Sequence, residues 1–486
     1  MAFLLIPLLT AIMFLVMSIL SVKNKKMNNL MNKKKRLLPP GELGLPWIGE
    51  TLDFYRAQKK NKILEEFIQP RIDKYGKIFK TRIMGSPTVV VNGADANRFF
   101  LSNEFKLVVS AWPSSSVQLM GKNSIMEKQG ESHRFIRGII SSSLNPNGLE
   151  SIVPKICKLV QSHLDKHWDG QESVRLYDMT KTLTLVIVFE CLFGVDEVEP
   201  TSTLANFEKV LEGVFATPID FPGSRFSRAK KARVEIGNAI LKIVREKKEE
   251  MNSQDESSLG GEDQTLIWRL VTALRREEMS EEEVVDNMIL LVYAAHDTTS
   301  FAIAMTFKML SLHPHSYAQL LQEHNDIMRS KKDNERLLTF EDTKKLKYTW
   351  QVARESMRLF PPIFGSFRKA ITDIDYQGFT IPKGWKVLWT TYGTHNNEEY
   401  FKDPQTFDPS RFDETSSPSI QPYVFIPFGG GPRLCAGYQL AKLNILVFVH
   451  YVVTRYNWSM MKPDEPIAMD PLPFPSYGMP IRISPK

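Results

Sequence analysis

Apolar residues recur at three- and four-residue spacing through the middle of the chain. Over Leu149–Trp168, Leu176–Phe193, Ala205–Phe215 and Ser227–Met251 this spacing predicts helices. Two stretches read otherwise. KTRIMGSPTVVVNG, Lys80 to Gly93, predicts two strands around a Gly-Ser-Pro turn, and YQGFTIPKGWKVLWTTYGTH, Tyr376 to His395, predicts a second strand region. NSQDESSLGGED, Asn252 to Asp263, reads as a polar surface loop. Strand pairs thus flank a large helical middle, with no alternating βα rhythm and no internal repeat. The pattern predicts a mainly α body with small β-sheets and argues against a doubly wound nucleotide-binding sheet.

The longest helix is the most informative. Ser280 with Glu283 forms a capping box, and His313–His315 supplies a stop more than 30 residues later. Met288 to Ala295 is apolar on every side, as in a helix that runs through a core. AAHDTTS, Ala294 to Ser300, then places an acid and two threonines in the buried middle, where they need partners. Two accounts stay open at this point. Thr298 and Thr299 bond carbonyls four residues back while Asp297 meets an arginine, or the small Ala294 and Ala295 let a flat group lie against the backbone.

Composition adds an anchor. The chain of 486 residues has 62 Lys and Arg against 55 Asp and Glu, a net charge of +7. Residues 1–36 hold seven of the basic residues and no acid, which accounts for the whole excess. The body is therefore neutral, and binding of nucleic acid is not expected. The basic segment follows Ala2 to Val22, an uncharged apolar run that reaches roughly 31 Å as a helix, enough to cross a bilayer core. No cleavage site of the signal-peptide kind is visible. Lysines after the span place that side in the cytosol. The expected organisation is a transmembrane anchor over residues 1–22, a basic and Pro/Gly-rich linker over 23–49 and a catalytic domain over 50–486. Three widely spaced cysteines, Cys157, Cys191 and Cys435, suggest no disulfide framework and a reducing compartment.

Candidate chemistry is uneven in strength. Glu355 and Arg358 share a helix face three residues apart, and Arg411 in FDPSRF is placed to join them, but each motif is weak alone. PFGGGPRLCAG, Pro427 to Gly437, is stronger. A glycine run brings backbone N–H groups close to an anion, and a thiolate needs such donors or nearby positive charge. No further Cys or His stands at zinc-site spacing, and the Gly-Lys-Ser/Thr ending of a phosphate loop is missing. A catalytic thiol stays open. So does a thiolate ligand to haem iron, with the following helix N-terminus and Arg433 as supports.

FGGGPRLCAG matches the Phe-x-x-Gly-x-Arg-x-Cys-x-Gly pattern of the cytochrome P-450 superfamily without a mismatch, and so resembles it. The proline-rich hinge, the Asp-Thr pair, Glu-x-x-Arg and the Phe-x-x-x-Arg-Phe element follow the order of that family from about Leu37 onward. The resemblance implies the cytochrome P-450 fold, a single catalytic domain behind an N-terminal transmembrane helix. It implies haem b with Cys435 as the axial metal ligand, in a loop that includes Phe428 and Gly437. It makes Asp297 and Thr298 the proton-delivery pair and Glu355, Arg358 and Arg411 a structural triad. Arg137, Arg433 and Arg368 are implied as propionate partners, with His395 as a fourth. Two positions depart from the commonest pattern. His133 stands where the family often has a tryptophan, and Ala295 where glycine is usual.

By the same resemblance the chain is a monooxygenase that uses O₂. Its electrons come from a membrane-bound NADPH-dependent cytochrome reductase, with Arg134 and Lys442 as basic contacts. No flavin or nicotinamide fingerprint is present in the chain itself. The place implied is the endoplasmic reticulum membrane, single-pass, with the catalytic domain cytosolic. The implied pocket walls are apolar: Trp112, Val117, Leu119, Phe215, Phe221, Ile363, Phe364, Phe367, Phe474 and Tyr477. LPPGELGLPWIGETL, AAHDTTS and IDFPGSRFSRAKKAR are similar to plant enzymes that oxidise triterpenoids, taxane-type diterpenoids, steroids and abscisic acid. A di- or triterpenoid scaffold is expected first and hormone turnover second. A haem-thiolate isomerase or dehydratase, or a non-catalytic haem protein, is disfavoured by the Asp297–Thr298 pair.

Overall fold

A computed structural model describes residues 37–196, 200–253, 265–331, 337–415 and 419–486. The anchor expected over 1–22, the basic part of the linker and the loop residues 254–263 lie outside the described residues. The described residues divide into two compact units. One is residues 37–111 with Gly365–Gly393; the other is Trp112–Phe364 with Thr394–Lys486. The division arises because one sheet draws strands from distant parts of the chain.

That sheet forms the smaller unit. Strands β1 (Ile78–Ile83), β2 (Ser86–Val91), β3 (Val108–Ser110), β5 (Gly365–Ala370) and β8 (Lys386–Thr390) lie in the order β1-β2-β8-β5-β3. Only β2 and β8 run parallel. The β1–β2 turn sits one residue earlier than expected. Ile83 pairs with Ser86 across Met84 and Gly85, whose φ values of 49° and 72° give the double left-handed turn that suits strand twist. Pro87 falls just before the parallel ladder, which starts at Thr88, so its missing N–H breaks no bond to β8. A hairpin of β6 (Ile374–Tyr376) and β7 (Phe379–Ile381) completes the strands of this unit. The described end of the linker is not free. Lys80 donates its N–H to Pro40 O at 2.7 Å, so the chain joins the sheet well before residue 49.

The larger unit is helical. Its helices used below are α1 (Ser114–Met120), α2 (Gly130–Ser143), α3 (Pro146–His167), α4 (Leu176–Ile187), α5 (Pro200–Val214), α6 (Arg225–Ser253), α7 (Leu266–Arg275), α8 (Glu281–Leu312), α9 (Pro314–Ser330), α10 (Lys347–Leu359) and α11 (Tyr438–Arg455). Its small sheets are β4-β12-β9 (Ser173–Arg175, Pro480–Pro485, Tyr456–Met460) and the pair β10 and β11 (Ile467–Met469, Pro473–Pro475). The helical periods read from sequence fall on α3, α4, α5 and α6; α6 runs on to Ser253.

The core helix is α8, 32 residues and about 48 Å long. The Ser280–Glu283 capping box starts it, and His313 follows its last turn. It is long and apolar enough to cross a membrane, yet 72% of its most apolar window is buried inside the protein. It is therefore the axle of the core. Its buried positions include Asp286, Asn287, His296, Asp297, Thr299, Ser300 and Thr306, an unusual load of polar side chains for an interior helix.

Candidate active site

The glycine run shapes the loop before α11. Gly429 and Gly431 have φ of +71° and +66°, a conformation that a Cβ makes costly. Cys435 closes the loop by donating its N–H to Phe428 O at 3.0 Å, and the Phe428 ring meets Tyr438 edge-on at 4.7 Å. Gly437, the N-cap of α11, has an ordinary φ of −86°, and a Cβ there would stand 3.9 Å from the sulfur. What Gly437 contributes is its backbone N–H, aimed at Cys435 Sγ.

Unlike the buried Cys157 and Cys191, Cys435 is exposed. Surrounding protein nevertheless raises its thiol above the ordinary value, against the pull of the Gly437 N–H and of Arg137. A sulfur that is accessible at its surface and desolvated at longer range faces a hollow rather than bulk water.

Helix α2 supplies the positive side. His133 and Arg137 are one turn apart on it. Arg137 donates to Leu434 O, and among the described residues no carboxylate pairs with it. Arg433 donates to the carbonyls of Ile125 and Met126 at 3.2 Å each and of Lys128 at 2.7 Å. Those bonds use three of its five N–H groups and tie the 125–128 segment to the cysteine loop. Burial, Arg433 and Arg137 together push the His133 imidazole down to about 4, so it is neutral. The loop and α2 therefore bring Cys435, Arg433, Arg137 and His133 together, as expected from sequence.

On α8 the expected pair divides between two faces. Ala294 is exposed and Ala295 and Thr298 half-buried, although the turns around them are buried, so open space lies against this stretch. Thr298 Oγ1 donates to Ala294 O at 2.7 Å. Asp297, only 5% exposed, turns towards α4 instead. Its Oδ1 accepts from Tyr177 Oη at 3.1 Å and lies 3.4 Å from Lys181 Nζ, and its Oδ2 stands 3.3 Å from His296 Nε2. Burial alone would raise this carboxyl; His296, Lys181 and Tyr177 outweigh it and hold the group below the usual carboxylate range. Since burial also keeps His296 neutral, the charge that does this work is on Lys181. The acid meets a lysine, not the arginine of the sequence reading.

Two expected partners have other engagements. Arg368, on β5 in the smaller unit, pairs with Glu104 at 2.6 Å and donates to Ser366 Oγ and Phe367 O. His395 accepts the Ile426 N–H on Nε2 at 3.0 Å, stacks on Phe425 and is fully buried. Burial and Arg358 push its imidazole down to about 3. Its carbonyl accepts from Arg358, which places it in the Glu355 network rather than among free cations. Arg358 is held by Glu355 at 2.7 and 2.8 Å and donates to Pro404 O and Thr406 O, while Arg411 lies 3.4 Å from Glu355. The two weak motifs thus meet in one buried cluster.

Residues 39–482 match the protein family described as Cytochrome P450. The chain is a cytochrome P450.

Among relatives of this P450, taxane 13-alpha-hydroxylase of Taxus cuspidata is 39% identical, with 92% of each chain covered. Taxoid 14-beta-hydroxylase of the same species is 39% identical over 98% of this chain and 94% of its own. Beta-amyrin 28-monooxygenase of Medicago truncatula is 38% identical, with 92% of each chain covered. Among solved structures, the retinoic acid-bound cyanobacterial CYP120A1 aligns with a TM-score of 0.83 at 30% identity, covering 93% of this chain and all of its own.

A P450 carries haem with a thiolate on its iron, and the residues around Cys435 fit that group. Cys435 is exposed, Arg137 has no acidic partner among the described residues to compete with an incoming carboxylate, and the exposed Ala294 leaves room against α8. The implied pocket walls differ in exposure. Leu119 is fully buried, whereas Phe221 and Tyr477 are 67% and 52% exposed. Sequence reasoning missed Tyr177, Lys181 and Thr184; their i, i+4, i+7 spacing along α4 was the available signal.

Proposed function

We propose that this P450 hydroxylates a bulky apolar isoprenoid, a di- or triterpenoid scaffold, at an unactivated carbon. Supporting this substrate class are the relatives that act on taxanes, taxoids and beta-amyrin, each aligned along nearly the whole chain. Electrons come from a membrane-bound NADPH-dependent reductase. Arg134, exposed on α2, is a basic contact for it. Lys442 is the weaker candidate, since its ammonium lies over the Trp350 ring at 5.4 Å. Residues 1–22 anchor the protein in the endoplasmic reticulum membrane with residues 50–486 in the cytosol.

Cys435 would hold the haem iron, Gly437 N–H and the α11 N-terminus would stabilise its sulfur anion, and Arg137 and Arg433 would receive the propionates. Bound there, the haem supplies activation of O₂ and insertion of one oxygen atom into a C–H bond. The chain contributes proton supply and exclusion of bulk water. Thr298 Oγ1 bonds the Ala294 carbonyl as donor, so its lone pairs are free to accept from a water in the open space. Asp297, ionised beside Lys181, takes protons from the α4 side and passes them on at its carboxylate.

The observation that carries the reading is the accessible Cys435 sulfur beneath the Gly437 N–H. The test is the carbon monoxide difference spectrum of the reduced protein in membranes, followed by turnover of taxane and triterpenoid scaffolds with added reductase. A Soret band far to the red, with a hydroxylated product, is the expected result. A histidine-type band in folded protein would remove Cys435 as the ligand. The orientation has its own reporter. Asn457-Trp458-Ser459 is a glycosylation sequon with Asn457 exposed, and it stays unmodified if this body faces the cytosol.

A further inference from the structure

The face of α8 that carries Asp297 holds more polar groups than its protein partners satisfy. Tyr293, His296, Asp297 and Ser300 stand on successive turns opposite Tyr177, Lys181 and Thr184 of α4. Lower in this seam the bonds are complete: Thr184 Oγ1 meets Ser300 Oγ at 3.0 Å and the His296 carbonyl at 3.2 Å. Around the acid they are not. Tyr293 Oη and His296 Nε2 are buried without a hydrogen-bond partner among the described residues, although the two residues are only 4% and 0% exposed, and the His296 ring otherwise meets only the Val292 carbonyl one turn back on its own helix. His296 Nε2 is 3.3 Å from Asp297 Oδ2 but outside hydrogen-bonding geometry. Phe207 packs on the Tyr293 ring at 4.8 Å.

Each such orphan costs about 1–3 kcal/mol if left dry. An imidazole always offers both a donor and an acceptor, and a phenol offers the same. Two unsatisfied atoms beside a carboxylate oxygen form the polar lining that internal water requires. The seam also has an outlet. Lys181 Nζ, held at Asp297, reaches Glu208 of α5 at 2.5 Å; the Lys181 side chain is 11% exposed and that of Glu208 is 49% exposed.

We propose that the α4–α8 interface holds a cluster of internal waters, bound by Tyr293, His296 and Asp297, which connects the acid to solvent at Glu208. In it His296 is a positioning residue that keeps water on Asp297 Oδ2. The proposal rests on Asp297 as the proton-delivering group. His296 stays neutral in this setting, which leaves its lone pair available to a water. The charged groups around the seam are Lys181 from α4, Glu208 from α5, Asp297 on its own helix and Arg233 of α6 towards Tyr293.

The direct test is a crystal structure of the haem-loaded protein at a resolution that places waters. Ordered water within hydrogen-bonding distance of Tyr293 Oη and of the His296 ring is expected, and a dry seam would overturn the proposal. The functional test compares His296→Leu, His296→Gln and Tyr293→Phe for the solvent deuterium isotope effect on reductase-driven O₂ consumption, with melting temperature read alongside. His296→Leu slows this flux about two- to tenfold, the worth of a lost buried hydrogen bond, and enlarges the isotope effect. Glutamine, which keeps a donor and an acceptor, restores most of it. Should His296→Leu fail to fold, Tyr293→Phe removes one water ligand with little change of shape and is expected to enlarge the isotope effect. Wild-type isotope effects in the folded His296→Leu and Tyr293→Phe variants would overturn the positioning role. Asp297→Asn separates the two claims: no change there removes Asp297 as proton donor, while the crystal still decides whether the seam is wet.

Discussion

Two buried charge clusters of the larger unit are built on opposite principles. Around Glu355 the Arg358 guanidinium is fully engaged: it meets both carboxylate oxygens and three backbone carbonyls, and the Asp408 N–H adds to the carboxylate, while Arg411 Nε and His395 Nδ1 at the edge are left without a hydrogen bond among the described residues. The Glu355 and Arg358 side chains are both 0% exposed. Around Asp297 the carboxylate is charged and held, yet Tyr293 Oη and His296 Nε2 beside it lack partners among the described residues. A pair bonded as fully as Glu355 and Arg358 has one arrangement and serves as a fixture. A carboxylate bordered by spare donors and acceptors can exchange protons.

The contrast breaks most sharply at Arg358. Arg358→Ala strands a fully buried carboxylate, a loss of about 3–5 kcal/mol, and the carbon monoxide spectrum of the expressed protein should disappear along with its cooperative melting. Asp297→Asn should leave the spectrum intact and lower the melting temperature near neutral pH, since it removes one of the charges facing Lys181, while slowing oxygen-consuming turnover by about a hundredfold, the scale of a lost general acid. Thr298→Ala is the milder counterpart on the other face: the spectrum persists, and a larger share of the NADPH electrons leaves as peroxide. Coupling equal to wild type would take Thr298 out of proton delivery.

Charge on Asp297 can be read through stability. Its carboxyl is depressed in the fold, so the stability it contributes is present above the carboxylate range of the unfolded chain and is lost as pH falls through the lower folded value. Lys181→Met removes the compensating charge. Its melting deficit should be greatest near neutral pH and shrink in acid as Asp297 protonates; a deficit constant across pH would mean that Lys181 does not set the charge. The smallest effect concerns a third buried pair, His324 and His450, bonded Nδ1 to Nδ1 at 2.9 Å. Burial pushes His450 down to about 4 from an ordinary 6.5. The unfolded chain therefore binds a proton that the fold refuses between those values, and melting should fall across that window. His450→Asn should flatten the decline by one proton's worth, about 1.4 kcal/mol per pH unit.

Legibility followed locality. The capping box at Ser280, the helical periods and the Phe428–Gly437 motif are contiguous signals, and each appears in the structure at or near its expected place. The β1–β2 turn was misplaced by one residue because Gly-Ser-Pro looks like turn chemistry, whereas the register puts Met84 and Gly85 at the corner. Engagements made across the fold left no local trace. Nothing in the neighbourhood of His395 announces that its ring accepts from Ile426, or near Arg368 that Glu104 holds it. Lys181 and Asp297 are 116 positions apart, and only the packing of α4 on α8 makes them a pair.

The division of α8 into two faces has a consequence for how such an enzyme diversifies. Ala294, Ala295 and Thr298 border open space, while Tyr293, His296 and Asp297 are sealed against α4. Neighbouring positions on one helix therefore answer to different demands. On the proposed reading, exchanging methyls at 294 and 295 would alter which carbon of a rigid ring system comes within reach, without disturbing the side proposed to feed protons. Choice of product and rate of turnover would then be set on separate sides of the same 32-residue rod.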